Sequence, residues 1–277
     1  MNYRDGGRTP YPSDLTDEQW EAVADLFEQR STMGRPHVHS RRLIVNAILY
    51  QARTGCQWRY LPSEFPPRST VNDCFVAWRE DGTWDTVHQR LHNAARTQSG
   101  HDPGPGAAVI DAQSVPNAGR AEEVGYDAGK KIRGRKRHII VDSLGLLIAV
   151  LVTSAYVSDI AGGHQLLRKA RLTNSMLGIV RADSGYRGLA KRAERLRLKI
   201  VIVKNPSRHA FIPVKHRWIV ERSLAWLSAY RRLGKRDLEH TTIAAETWIK
   251  VASIAMMLAR LHPTPNSPQA ITWARLW

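Results

Sequence analysis

Three acidic residues in this 277-residue chain stand where carboxylates could do chemistry. Asp111 ends the apolar run AVID, and Asp183 ends IVRAD ahead of Ser-Gly-Tyr. Glu221 lies in RWIVERSLAWL, with Trp218 and Leu224 three residues to either side, which sets it along a largely apolar helix face. Each has an ordinary explanation when taken alone. Asp before Ser-Gly is common turn chemistry, and Glu221 could pair with Arg217 or Arg222. Gathered at one point, the three would instead make a site for hard divalent cations, which take oxygen ligands. Two Mg²⁺ (or Mn²⁺) ions about 3.5–4 Å apart can serve both the attacking and the leaving oxygen of a phosphodiester. Without cations the acids would repel one another and at least one would hold its proton more tightly.

Convergence needs elements that bring these positions together. The pattern predicts a short strand at 107–111, two strands within 136–155 joined by a tight turn at Asp142–Gly145, and a helix at about 160–172. Strand 177–183, helix 188–197, strand 198–205 and a long helix at about 216–233 follow. The order β-β-β-α-β-α-β-α is that of a ribonuclease H-like mixed five-stranded sheet with flanking helices, although order alone leaves other α/β folds open. In that arrangement the first and fourth strands are neighbours and the last helix crosses them.

The preceding segment has helical period throughout. Helices are expected at 15–30 with Thr16 as cap, at 40–55 between Ser40 and Gly55, at 69–81, and at 83–98. This is a helix-turn-helix-like all-α domain. The resulting division is an N-terminal tail at 1–14, a helical domain at 15–98, a linker at 99–106, the α/β domain at 107–262, and a proline-broken tail at 263–277. His88 and His92 lie one turn apart with no third metal ligand in view, and are expected to face solvent.

Charge separates the two domains. The chain carries 41 Lys+Arg against 25 Asp+Glu, a net +16. Residues 15–99 are balanced, with 10 arginines and 10 acids, whereas residues 107–262 hold 28 Lys+Arg and 12 acids. The second domain therefore carries the whole excess, which suits a polyanionic partner, most often nucleic acid. Two cysteines, Cys56 and Cys74, cannot build a disulfide framework or a four-cysteine zinc site. No apolar run of membrane-spanning length and no signal-peptide core stand out, so a cytoplasmic, nucleoid-associated protein without a membrane partner is expected.

Six long segments carry a resemblance: YPSDLTDEQW, AILYQARTGCQWRYLPSEFPPRSTV, IDAQSV, GYDAGKKIRGRKRHIIVDSLG, RADSGYRG and WIVERSLAWLSAYRRL. From about residue 11 to 262 the chain resembles bacterial insertion-sequence transposases of the DDE type, nearest the group named after insertion sequence five. The resemblance implies a DNA-binding helical domain before a ribonuclease H-like catalytic domain, with Asp111, Asp183 and Glu221 as catalytic metal ligands. It also implies binding of the element's terminal inverted repeats, cleavage to free 3′-hydroxyl ends, joining to target DNA, and a dimer or higher assembly on DNA. Arg217 and Glu221 fit a Tyr-Arg-Glu-Lys signature of related enzymes, while Val214 and Ser228 stand at its tyrosine and lysine positions. Arg231, Arg232 or Lys235 could take the lysine's place, and the short segment 205–216 leaves no room for the large β-insertion of some relatives.

Candidate DNA contacts follow from the basic stretch 130–137, namely Lys130, Lys131, Arg133, Arg135, Lys136 and Arg137, where cations would grip the backbone without reading bases. Arg35 in Gly-Arg-Pro could enter a minor groove, and Arg68, Arg217, Arg231 and Arg232 complete the set. Two rivals remain at this point. One is a DNA-binding repressor without catalysis. The other is a metal-dependent nuclease that cleaves but does not join.

Overall fold

The computed structural model describes residues 9–28, 38–203 and 217–263. The chain divides into two compact units that are not contiguous in sequence. The first holds the described residues up to Ala95, then Tyr230–Arg232 and those from Lys250 onward; the second holds those of Arg96–Ala229 and Leu233–Ile249. The break after Ala95 lies close to the expected linker. The 107–262 stretch, by contrast, is shared between the units.

The first unit is helical. Its N-terminal segment forms two short helices, α1 (Asp17–Glu21) and α2 (Ala24–Phe27), where one longer helix is expected. Thr16 and Gln19 make a capping box at the start. The helix breaks at the β-branched Val23, whose backbone leaves the helical region and whose side chain is buried. Helix α3 (Arg41–Thr54) runs between its expected signals: the Ser40 hydroxyl accepts from the Leu43 amide, and Gly55 ends it with a left-handed φ of 69°. Helices α4 (Arg68–Glu80) and α5 (Thr83–Gln98) are joined by a two-residue turn with Gly82 at positive φ. Their inner faces pack Phe27 edge-on to Trp78 and Trp84, with centroids 4.7 and 5.3 Å apart. His88 and His92 belong to this interior rather than to solvent, at 6% and 3% exposure. His88 Nε2 lies 3.2 Å from the Ser253 hydroxyl.

The second unit is built on a mixed sheet of β1 (Ala107–Pro116), β2 (Gly125–Asp127), β3 (Ile132–Asp142), β4 (Leu147–Ser154), β5 (Ile179–Ala182) and β6 (Lys199–Ile202). Its order is β2-β3-β1-β5-β6, with β4 also paired to β3. Strands β1 to β4 pair antiparallel, and β1-β5-β6 run parallel. The expected strands are all present, and the short β2 is an addition. Helices α6 (Asp159–Thr173) and α7 (Ala190–Glu194) follow β4 and β5, and α8 (Arg217–Ser228) follows β6. One face of the sheet makes the core: Ala108, Ile110, Ile140, Val180 and Ala182 close on Leu166, Leu167, Tyr186 and Leu189. Helix α8 contributes no residue to that core and packs against β1 and β3.

Helix α9 (Thr242–Leu261) has no counterpart in the sequence reading. Against the expectation from hydropathy, its 20 residues are apolar enough to cross a membrane by length and composition, with 72% of the apolar window buried. Its role in the second unit is visible at Glu246. That carboxylate accepts from the Val152 amide on the outer edge of β4 and from Lys169 of α6 at 2.6 Å. An edge strand is thereby covered.

Candidate active site

Strand register brings Asp111 and Asp183 side by side. In the parallel β1-β5 ladder Ala107 faces Ile179, Ala108 faces Val180 and Val109 faces Arg181. Two further residues along each chain lead to Asp111 and Asp183, just where β5 ends. Neighbouring strands run about 4.8 Å apart, and the period of two places both carboxylates on the face opposite the core residues Ile110 and Ala182. Asp111 does not end its strand, as expected, but sits at its middle, because the antiparallel pairing with β3 continues to Pro116. The strand thus projects beyond β5 and carries Asp111 to an open margin.

Asp183 forms the turn considered for it. Its Oδ1 accepts from the Gly185 amide at 2.9 Å, an Asx-type turn that starts the 3₁₀ segment Ser184–Leu189. The carboxylate remains half-exposed. The Oδ1 of Asp111 accepts from the Ala112 amide at 2.7 Å. Tyr186, three residues past Asp183, is buried at 1% exposure. Burial and the Asp111, Asp159 and Asp183 charges push its phenol well above the usual tyrosine range.

Behind the pair lies a polar layer absent from the sequence reading. Lys136 stands 3.3 Å from Asp127 and 3.0 Å from Asp159, and donates to the Val157 carbonyl. Ser114, opposite Lys136 in the ladder, donates to Asp127 at 2.6 Å. Burial raises the Asp127 carboxyl, but the Ser114 hydroxyl, the Lys130 amide and the Lys136 ammonium outweigh it and bring it to about 2. His138 packs under Gly162 of α6 and bonds Thr153; burial takes it down to about 4, Asp159 pulling up against Lys136 and Lys130. The signal for this layer was the two-residue period of β3, which sends Lys136 and His138 to the core face.

The same period corrects the basic stretch. Strand β3 is central, so its cations are enclosed on both faces. Arg135 is fully buried: it pairs with Asp237 at 3.1 Å and donates to the Glu122, Glu239 and His240 carbonyls. Arg137 donates to the Leu233 carbonyl at 4% exposure. With Lys136 at 5% exposure, three of the six expected phosphate contacts hold the fold instead. Arg232 joins them at 6% exposure, donating to the Cys56 carbonyl. Lys130, Lys131 and Arg133 are exposed, as are Arg68 and Arg231. Lys130 Nζ bonds the Ala112 carbonyl at 2.9 Å, next to Asp111. Arg35 and Val214 lie outside the described residues, as does the side chain of Arg217.

Glu221 differs from its expected setting. On α8 the buried positions are Ile219, Val220, Arg222, Ser223 and Leu227, while Trp218, Glu221, Ala225 and Ser228 form the exposed stripe. The flanking Trp218 and Leu224 that suggested an apolar face are themselves exposed or half-exposed, and the Trp218 ring stacks on Arg222, 4.5 Å from the guanidinium. Among the described residues no group of three or more His, Cys, Asp or Glu side chains stands close enough to hold a metal ion. The structure therefore joins Asp111 with Asp183, and leaves Glu221 on a helix that packs against the same strand.

Comparison with known proteins gives the chain a family. Residues 102–258, more than half of the chain, match the "Transposase DDE domain" model, and residues 15–88 match a model of IS4/5-family transposases. A Burkholderia cepacia protein named "Putative transposase for insertion sequence element IS402" is 35% identical over 112 residues, 37% of this chain and 53% of that protein. The chain thus spans about half the length of this relative. A second Burkholderia cepacia protein, "Insertion element IS402 uncharacterized 16.2 kDa protein", is 28% identical over 40% of this chain and 78% of its own length. Among solved structures, a piggyBac transposase synaptic complex with hairpin DNA is similar at 12% identity and a TM-score of 0.41, covering 88% of this chain and 72% of that one. By the two family matches, the chain belongs to the DDE transposases of the IS4/5 type.

Proposed function

We propose that the protein is an active transposase that binds the terminal inverted repeats of its element, cleaves to free 3′-hydroxyl ends and joins them to target DNA. The observation that carries this reading is the register that sets Asp111 beside Asp183 at the open end of the parallel ladder. Two adjacent carboxylates suit Mg²⁺ or Mn²⁺, which are held by one or two carboxylates together with substrate phosphate. Asp111 and Asp183 would hold the cations, two in number, with Glu221 of α8 as the third ligand. When bound, such cations supply Lewis-acid charge at the phosphoryl centre. The chain's own part is to fix the carboxylates. The Ala112 and Gly185 amides bond one oxygen of each acid, and the sheet holds their spacing. Exposed Lys130, Lys131 and Arg133 would draw the DNA backbone toward Asp111, with Arg68, Arg217, Arg231 and Arg35 as further contacts. A dimer or larger assembly on DNA, in the bacterial cytoplasm, completes the reading.

The test is a reaction on DNA bearing the inverted repeats that flank the element. Mg²⁺-dependent cuts at the repeat ends followed by covalent joining to a second duplex are expected. Cleavage without joining would reduce the protein to a nuclease, and binding without cleavage would reduce it to a repressor.

A further inference from the structure

Helix α8 is not held to the sheet by apolar contact alone. The two residues after Glu221, both buried, bond to the turn between β3 and β4. The Ser223 hydroxyl donates to the Gly145 carbonyl at 2.8 Å, closer than the Ile219 carbonyl of its own helix at 3.0 Å. Arg222 donates to the Leu144 carbonyl at 3.2 Å. Its guanidinium is clamped between the indoles of Trp218 and Trp226, 4.5 Å from each, one helical turn to either side. Gly145 permits the approach. Its φ is 83°, and a Cβ there would stand 2.9 Å from the Ser223 oxygen and 3.1 Å from an Arg222 nitrogen. The turn has a fixed shape of its own. One oxygen of the fully buried Asp142 accepts from the Leu144 and Leu146 amides, both at 2.9 Å, and the other pairs with Arg96 at 2.6 Å. All of these residues lie in the second unit. Apolar burial is non-directional and would let a helix roll or slide on a sheet. Hydrogen bonds to two fixed carbonyls set its rotation and its height.

We propose that Arg222 and Ser223 are positioning residues for Glu221, whose bonds to the β3–β4 turn fix the rotation of α8 and with it the direction of the Glu221 carboxylate. A roll of the helix by one residue is about 100° and would carry that carboxylate off the stripe it occupies. The anchor and the acidic pair share one strand. Asp142 faces Ala108, which stands three residues from Asp111 along β1, or about 10 Å. The sheet thereby sets the third acid relative to the first, as outer hydrogen bonds do for metal ligands. This inference rests on the reading of Glu221 as the third ligand.

The experiment uses the full chain, with Ser223→Ala and Arg222→Met made singly and each combined with Glu221→Gln. Single-turnover cleavage of inverted-repeat DNA is read in Mg²⁺, and amide hydrogen exchange is read in EDTA without DNA. Each anchor variant is expected to cleave roughly tenfold more slowly than wild type. Once Glu221 is already glutamine, the same change should cost less than about twofold, because both act through one carboxylate. Exchange across α8 should quicken severalfold while that of β1 and β5 stays unchanged. Ser223→Ala removes one buried oxygen and keeps a good helix former, so it decides the comparison if Arg222→Met unfolds. Equal losses in the two backgrounds would overturn the proposal, making the anchor structural while leaving Glu221 a ligand. Wild-type cleavage or unchanged α8 exchange in Ser223→Ala would overturn it as well. Wild-type cleavage by Glu221→Gln would instead overturn the third ligand, and the positioning role with it.

Discussion

Arg135 and Asp237 form an ion pair 3.1 Å long with neither side chain more than 1% exposed. Three backbone carbonyls, of Glu122, Glu239 and His240, complete the guanidinium's shell. Removing one member of such a pair strands the other, at a cost of about 3–5 kcal/mol. Arg135→Ala should therefore lower the unfolding free energy by that much, read from urea melts. The folded fraction should keep its affinity for DNA, measured by titration below the midpoint.

The exposed half of the same stretch behaves in the opposite way. Replacing Lys130, Lys131 or Arg133 by Ala should change stability by no more than about 0.5 kcal/mol. Each should weaken DNA binding across sequences and reduce the slope of log affinity against log salt by about 0.9 for each phosphate no longer neutralised. Filter binding at several salt concentrations checks this, and an unchanged slope in the triple variant would remove the stretch from the interface.

Acid should weaken the fold through its buried histidines. Burial, and after it the charges of His92 and Lys250, bring His88 down to about 3 from an ordinary 6.5. His88 is thus neutral in the fold, while the unfolded chain takes up a proton first. Its contribution is whole above about pH 6.5 and is lost as pH falls toward 3, by roughly 1.4 kcal/mol per pH unit. Urea melts at pH 7.5, 6 and 5 should show this slope, and His88→Leu should flatten it. His138, at about 4, adds a second such slope that survives in that variant.

Glu221 separates catalysis from packing. Because it lies on the exposed stripe of α8, Glu221→Gln should leave stability within about 0.5 kcal/mol of wild type. As third ligand, it should nonetheless cut repeat-end cleavage at least about a hundredfold, or close to 3 kcal/mol of transition-state stabilisation. Cleavage at the wild-type rate would restrict the site to the two aspartates.

Much of this architecture is legible from local rules. Caps such as Ser40 and Gly55 mark helix ends by their own hydrogen bonding, and the turn at Asp142–Gly145 joins the strands it was expected to join. The adjacency of Asp111 and Asp183 follows from element order, since parallel pairing of the first strand with the fourth sets their register. What escaped was tertiary. A run of cations reads as surface until a central strand encloses it, as at Arg135, Lys136 and Arg137. Glu221 was misplaced because Trp218 and Leu224 looked like core, whereas α8 buries the adjacent stripe of Ile219, Val220, Arg222, Ser223 and Leu227. Helix α9 carries no acid of the candidate site to single it out, although its apolar residues recur throughout 242–261. Nothing in the residues around Tyr186 marks it as buried, and only packing against Gly163 reveals it as interior.

The most direct test of the account is Mg²⁺-dependent cleavage of inverted-repeat DNA by Asp111→Asn and Asp183→Asn, each compared with wild type for cleavage and for binding. Both variants are expected to bind the repeat as wild type does and to lose cleavage by about a thousandfold or more, several kcal/mol of transition-state stabilisation. Cleavage by Asp183→Asn at the wild-type rate would contradict it, leaving that residue the turn former its bond to Gly185 already makes it.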